Sequence, residues 1–257
     1  MKLLVKLGGT LLDSAASRDS LCRQIAAARA AGHEVTVVHG GGQQMTRYLT
    51  DRGIESRFVG GLRVTSPETI DAVLKVFAGS VNHELVAAIN RAGAPAVGIS
   101  GIDAFLVEAE QMDAALGAVG RVTRSNPALL HLLTANRYVP VVACVAGDRQ
   151  GQVYNVNADQ MAVACAAAFG ACQLIFLTDV EGVLDGAKQV RPLLTAAASR
   201  QLIDEGIATG GMQAKLNAAL SALASGVQQV RIAPGAAADV LGRILAGEEL
   251  GTRMVTT

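Results

Sequence analysis

The chain has 257 residues, 51% of them apolar, with 22 basic and 22 acidic side chains and no formal net charge. That length accommodates one large core, or two lobes sharing one sheet. Balanced charge implies no basic face for nucleic acid, and with aromatics at 3% and no tryptophan there is little to stack on bases. Cys22, Cys144, Cys165 and Cys172 form no C-x-x-C pair and no metal-like spacing, so they read as small buried apolar residues in a reducing cytosol.

The first stretch, Lys2 to Leu7, is an apolar run broken by Lys6 and followed by Gly8-Gly9; it predicts a strand buried on both faces. It leads the chain, which predicts no signal peptide. Leu21, Ile25 and Ala28 fall at helical spacing up to Gly32, and Val35 to Val38 is a second strand running into His39-Gly40-Gly41-Gly42 and a further helix. Phe58 to Val64 reads as a hairpin turning at Gly60-Gly61. A helical stripe then runs through Ile70, Val73, Leu74, Phe77, Val81, Leu85 and Ile89 to Gly93. Pro95 to Ile99 is a strand, Ala104 to Asn126 suits short exposed strands, Leu129 to Leu133 is helical, and Val139 to Ala143 is a buried strand. A turn at residues 147–151 makes a hairpin of its flanks. The long apolar stretch Met161 to Leu177 approaches membrane-spanning length, but it changes character at Gly170 and reads as a core helix from about Ala158 followed by a core strand at Leu174. Beyond it come helices near Ala196 to Glu205 and through Met212, Leu216, Leu220 and Leu223. A strand at Val230 to Ile232, a helix over Ala238 to Leu245 and a short strand at Met254-Val255 complete the chain. Strands alternating with helices predict an α/β fold, a parallel sheet covered by helices. A soft boundary near Ala171 divides residues 1–171 from residues 172–257.

Chemistry is expected where glycines follow strands. There is no G-x-x-x-x-G-K-[ST], no G-x-G-x-x-G and no G-x-S-x-G. Lys6 ahead of two glycines either delivers a charge to an anion or snorkels into water. Three glycines after His39 exceed what a tight turn needs, so their N–H groups at a helix start suggest a phosphate or carboxylate site. Arg63 is a hairpin surface charge or a partner for a carboxylate. Lys215, after Gly210-Gly211, is a solvated lysine or a second site cation. The stretch Asn155-Val156-Asn157-Ala158-Asp159 is an N-cap cluster, with Asp159 also suited to holding lysines in place.

Lys6-Leu7-Gly8-Gly9, His39-Gly40-Gly41-Gly42, Gly61-Leu62-Arg63-Val64-Thr65, Asn155 to Gln160, Leu177 to Val183 and Gly211 to Lys215 occur in that order across the chain. Together they resemble the amino acid kinase family. The resemblance implies a three-layer αβα sandwich with a mainly parallel central sheet, in which residues 1–171 bind an acyl amino acid and residues 172–257 bind ATP. It further implies transfer of the γ-phosphate to the side-chain carboxylate of N-acetyl-L-glutamate, in arginine biosynthesis. Lys6 would neutralise the moving phosphoryl group and Lys215 the ADP side, with Asp159 orienting both. Backbone N–H groups of Gly8, Gly9, Gly41 and Gly42 would hold the γ-phosphate, and Gly41 and Gly42 would join Arg63 and Asn155 around the acyl amino acid. Asp179, Val180, Glu181, Gly182, Val183, Leu184, Ile207, Ala208 and Thr209 would line the nucleotide site. Magnesium would be held mainly by ATP.

The chain departs from the family pattern at Ile102, where lysine is common, and at Ala233-Pro234-Gly235, which replaces an aspartate-glycine-arginine stretch. It lacks a helix before the first strand, as in arginine-insensitive homodimers; a cytoplasmic homodimer with no membrane or nucleic-acid partner is therefore expected. Glycines and lysines alone do not separate acetyl- from succinylglutamate, carbamate or nucleotide acceptors, nor an enzyme from a sensor of the same fold.

Overall fold

The computed structural model describes residues 1–256. β1 (Lys2–Leu7) is buried along all but its first residue. Ser14 caps α1 (Ala15–Ala30) by accepting from the Ser17 N–H, and Leu21, Ile25 and Ala28 form part of its buried face. β2 (Glu34–His39) runs directly into the glycine turn and α2 (Gly42–Thr50). The tight hairpin β3 (Phe58–Val59) and β4 (Leu62–Arg63) turns at Gly60 and Gly61, both at positive φ.

Ser66 caps α3 (Pro67–Val73), with Pro67 in its first turn. The helix widens to π geometry over Leu74–Val81 and continues as α4 (Asn82–Arg91). Among the described residues this 25-residue run, not the stretch from Met161, is the one whose length and apolarity match a membrane span, yet half of its apolar window is buried inside the protein. It packs on α1 and on two sheet strands, as a core helix does.

Next come β5 (Ala96–Ser100), β6 (Val107–Gln111), β7 (Val119–Ser125), α5 (Ala128–Ala135), β8 (Val139–Ala143), β9 (Val145–Gly147) and β10 (Val153–Val156). α6 (Ala158–Phe169) is capped in front by the Asn157 side chain and stopped by left-handed Gly170. The chain ends with β11 (Gln173–Thr178), β12 (Leu193–Thr195), α7 (Ala196–Asp204), α8 (Gly210–Ala224), β13 (Gln229–Pro234), α9 (Val240–Leu245) and β14 (Thr252–Val255).

Eight strands form the central sheet in the order β12-β14-β13-β11-β1-β2-β8-β5. All its neighbours are parallel except β13 and β14. Right-handed crossovers put α1, α4 and α9 on one face and α5, α6 and α8 on the other. The boundary expected near Ala171 falls between α6 and β11, and β11 pairs directly with β1, so the two halves share the sheet. Lys6 is level with Phe176 on one side and Val38 on the other. The turns after β1, β2 and β11 therefore leave the same edge at the sheet's middle, where open parallel sheets bind ligands.

Three features differ from the sequence-based expectation. The short strands expected within residues 104–126 and the hairpin at 147–151 join into one closed four-stranded unit, β10-β7-β6-β9. β12 is an additional edge strand. Cys22, Cys144 and Cys165 are buried, whereas Cys172 is partly exposed.

Candidate active site

Three charged side chains meet beside β1. Lys6, at its buried end, places Nζ 2.7 Å from Asp159 Oδ1, and Lys215 of α8 places Nζ 3.6 Å from Asp159 Oδ2. Asp159 comes second in α6, its N–H bonded to the Asn157 cap, and α6 packs on both β1 and α8, which brings residues so distant in sequence together. The Lys6 contact is an ion pair and not an aligned hydrogen bond, since Oδ1 finds no donor of good geometry despite the short distance. Burial opposes the charge on Asp159, but the two ammonium groups, Lys6 foremost, together outweigh it and hold the carboxyl below its ordinary value. Lys6 is nearly enclosed, while Lys215 keeps 20% of its side chain exposed. Two cations on one carboxylate leave an uncompensated positive charge in a nearly closed site, and so favour an anion.

The glycine turns face each other across that site. A Cβ on Gly9 would lie 3.4 Å from the Gly42 nitrogen and 4.0 Å from that of Gly41. Gly41 has no room for a side chain: a Cβ there would stand 2.9 Å from the Phe77 ring. Gly8 differs from the expectation, because its N–H donates to the Leu177 carbonyl at 2.9 Å and is not free to hold a phosphate. Its glycine serves the close approach of β1 to β11, where a Cβ would come 3.0 Å from that carbonyl oxygen.

A cavity of about 160 Å³ opens beside Gly40, Gly41 and Gly42, with Arg63, Asn155 and Phe58 on its walls. Arg63 is 8% exposed and meets neutral groups: it donates to Ser56 Oγ, to Thr46 Oγ1 at 2.8 Å and to the Gly42 carbonyl at 3.1 Å. The Phe58 ring stacks over its guanidinium at 4.6 Å. Burial lowers its pKa, without removing a charge that arginine always keeps. Asn155 donates to Thr65 Oγ1, which donates to the Arg63 carbonyl, so the two polar walls are coupled. The larger depression, about 440 Å³, lies on the outer side of α2 and α3, between Tyr48 and Lys75, and contains none of these groups.

The segments expected at a nucleotide meet at the same edge. Asp179, Val180, Glu181 and Leu184 are exposed, as are Ile207 and Thr209. A Cβ on Gly186 would touch Ile207 Cδ1 at 3.5 Å, so the two segments adjoin. Val183 and Ala208 point inward, however, and the Val183 N–H is held by Thr252 Oγ1 at 2.8 Å. Gly182 is likewise enclosed. Only the backbone of these three can face a ligand. Ile102 is half-exposed beside Gly147, and Gly235 is tied by its N–H to the Thr178 carbonyl. Among the described residues no three His, Cys, Asp or Glu side chains converge on a metal position.

No sequence pattern marks Thr46, Ser56 or Phe77 as a site residue, and Thr65 enters only as the end of the Gly61-to-Thr65 motif. Hydroxyl residues near an arginine give no pattern, and Phe77 reads only as part of an apolar stripe.

Comparison with known proteins agrees with this geometry. The amino acid kinase family matches over residues 1–234. An acetylglutamate kinase of Solibacter usitatus (strain Ellin6076) is 88% identical over 256 residues, covering all of both chains. Among solved structures, the Streptococcus mutans UA159 protein smu.665 is 28% identical with a TM-score of 0.84, covering 100% of this chain and 99% of its own. N-acetylglutamate synthase of Neisseria gonorrhoeae, solved with coenzyme A and N-acetyl-glutamate, shares the fold at a TM-score of 0.89 and 23% identity; this chain spans 59% of it.

Proposed function

The chain belongs to the amino acid kinase family, and from that premise we propose that it transfers the γ-phosphate of ATP to the side-chain carboxylate of N-acetyl-L-glutamate. The product is N-acetyl-L-glutamyl 5-phosphate, an intermediate of arginine biosynthesis. The full-length likeness to an acetylglutamate kinase supports the acceptor. The observation that carries the chemistry is the meeting of two ammonium groups, from β1 and α8, on one carboxylate beside facing glycine turns.

A glutamate side chain has a reference pKa of about 4.3, so at neutral pH the nucleophile is already an anion. A carboxylate oxygen forms the new bond to γ-phosphorus while the bond to the β,γ-bridging oxygen breaks, and ADP leaves with that electron pair. No proton changes hands, so no general base is required. His39 suits none, since both its ring nitrogens are hydrogen-bonded inside the core. The work left to the protein is to bring two anions into line and stabilise the charge between them. Lys6 neutralises the moving phosphoryl group and Lys215 the leaving ADP oxygens, with Asp159 setting their spacing. Gly9, Gly41 and Gly42 present backbone N–H groups to the phosphate. Arg63 and Asn155 hold the α-carboxylate end of the acyl amino acid in the cavity. Residues 179–184 and 207–209 receive the nucleotide, which places ATP on residues 172–257 and the acceptor on residues 1–171. Magnesium would arrive with the nucleotide, since no cluster of carboxylates among the described residues would hold it, and would supply charge neutralisation across the phosphates. We assign the protein to the cytoplasm as a homodimer.

Incubation with MgATP and N-acetyl-L-glutamate in hydroxylamine traps an acyl phosphate as its hydroxamate. Comparing acetyl-, succinyl- and unmodified glutamate defines the acceptor. Failure to form hydroxamate from acetylglutamate would refute the proposal.

A further inference from the structure

His39, the last residue of β2, is fully buried, and its ring links two parts of the structure. Nδ1 lies 2.7 Å from the carbonyl oxygen of Gly40, and Nε2 lies 3.0 Å from the side-chain nitrogen of Asn82. That nitrogen also reaches the Val141 carbonyl at 2.8 Å, so it is a donor to both, and Nε2 must accept. The proton of the neutral ring therefore sits on Nδ1, donated to Gly40. Burial lowers the His39 pKa to about 4, so this neutral form persists at any working pH.

The Gly40 carbonyl and the Gly41 N–H belong to one planar trans peptide and point in opposite directions. Holding the oxygen back against His39 fixes the direction of the N–H. The other carbonyls of the turn are also occupied: Gly41 accepts from the Met45 N–H at 2.8 Å, and Gly42 accepts from Thr46 Oγ1 and Arg63. The nitrogens of Gly41 and Gly42 are left facing Gly9.

The π geometry ahead of Asn82 belongs to the same arrangement. The Asn82 N–H bonds to the Phe77 carbonyl, five residues back, so both side chains fall on one face of the helix. In an α-helix, residues five apart point in different directions. Here Phe77 packs on Gly41 while Asn82 reaches His39. Asn82 Oδ1 occupies the place of a side chain at Gly98, 2.0 Å from where that Cβ would be.

We propose that Asn82 and His39 are positioning residues: the amide of Asn82 fixes the Nδ1–H tautomer of His39, which holds the Gly40–Gly41 peptide with its N–H aimed at the transferred phosphoryl group. In the opposite tautomer, Nδ1 presents a lone pair to the Gly40 oxygen. That peptide is then free to turn its carbonyl toward the phosphate. The inference rests on the phosphotransfer reading above.

Long-range 1H–15N spectra of the imidazole in the wild-type protein give the tautomer directly and need no variant; an Nε2–H tautomer overturns the inference. Asn82→Leu, similar in size but without a donor, removes the hydrogen bond that holds Nε2 as an acceptor, so ring orientation and tautomer are no longer fixed. It should lower kcat roughly 10- to 100-fold, with KM for both substrates within about threefold, because the donor is needed most in the transition state. A folded variant with wild-type kcat, or one whose loss lies wholly in KM, overturns it. Wild-type protein that forms no hydroxamate refutes the phosphotransfer reading instead, so the two failures are distinct.

Discussion

Replacing Asp159 by asparagine keeps the shape of the side chain and removes the charge shared by Lys6 and Lys215. At an effective dielectric constant of about 20, unit charges at the observed 2.7 and 3.6 Å attract by roughly 6 and 5 kcal/mol. Desolvation of three ions offsets most of this in the folded wild type. In the variant it does not, since Lys6 stays enclosed without a counter-charge and faces a second cation. Removing one partner of a buried pair costs about 3–5 kcal/mol, a large share of the roughly 5–15 kcal/mol that holds a domain folded. For a chain of this size that lowers Tm by about 6–20 °C. Urea unfolding at pH 7, at low and high salt, measures it, and a buried pair predicts little dependence on salt. The acid limb supplies a second measurement. Because the folded carboxyl titrates below its unfolded value, its stabilisation is present above the ordinary carboxylate range and is lost as pH falls through the folded pKa. Asp159→Asn should lack that component. A loss below about 1 kcal/mol, the worth of an exposed ion pair, would refute the view that this carboxylate holds the two cations together.

Other perturbations separate the roles of the remaining groups. Lys6→Ala should lower kcat by about 10²–10³-fold with little change in the affinity for ATP, since its charge matters most as the phosphoryl group moves; equal losses in both, measured by steady-state kinetics and nucleotide titration, would point to binding alone. Arg63→Ala should raise KM for the acyl amino acid by roughly 10- to 100-fold, the worth of a hydrogen bond to a charged group, and an effect confined to ATP would contradict the placement of the acceptor. Burial pushes the His39 imidazole down to about 4, from an ordinary value of 6.5. The unfolded chain binds more protons between these values, so acidification across that window should remove roughly 3 kcal/mol of stability, and an unfolding series from pH 4 to 7 should show a smaller slope in His39→Gln. Gly41→Ala, which drives a methyl against the Phe77 ring, should abolish turnover, with partial recovery on adding Phe77→Leu; an active single variant would show that the turn has slack.

The alternation of strands and helices was legible because buried parallel strands are continuous apolar runs and their helices carry a 3.6-residue stripe. The four-stranded unit was not. Its strands are short, of mixed polarity and interrupted by Gly117 and by the turn at 148–152, so no period marks them, and their closure depends on pairings remote in sequence. β12 is only three residues long and follows Pro192. The π turn leaves the apolar stripe of its helix almost unchanged, which hides it from any reading of periodicity. At the site, glycine pairs at strand ends marked where backbone comes close to something, but not to what. Gly8 meets β11 and Gly9 meets the opposite turn, a distinction set by the register of β1 against its neighbour.

The pairing of Lys6, Asp159 and Lys215 follows from the sheet order more than from any one motif. β1 lies between β2, from its own half, and β11, from the other, so a charge at its end is within reach of helices from both. α6 crosses over β1 on the way from β8 to β11 and carries Asp159 to that point in its first turn. α8 follows on the same face and packs against α6, which gives Lys215 its reach. The two lysines are nevertheless unequal. The one at 2.7 Å on the central strand is enclosed, and sharing its charge with a phosphate requires the phosphate to come to it. The one at 3.6 Å is a fifth exposed and sits on a helix of the other half, so it can follow a departing nucleotide. That inequality suits the proposed division of labour, in which the enclosed Lys6 meets the transferred phosphoryl group and the more exposed Lys215 attends the leaving nucleotide.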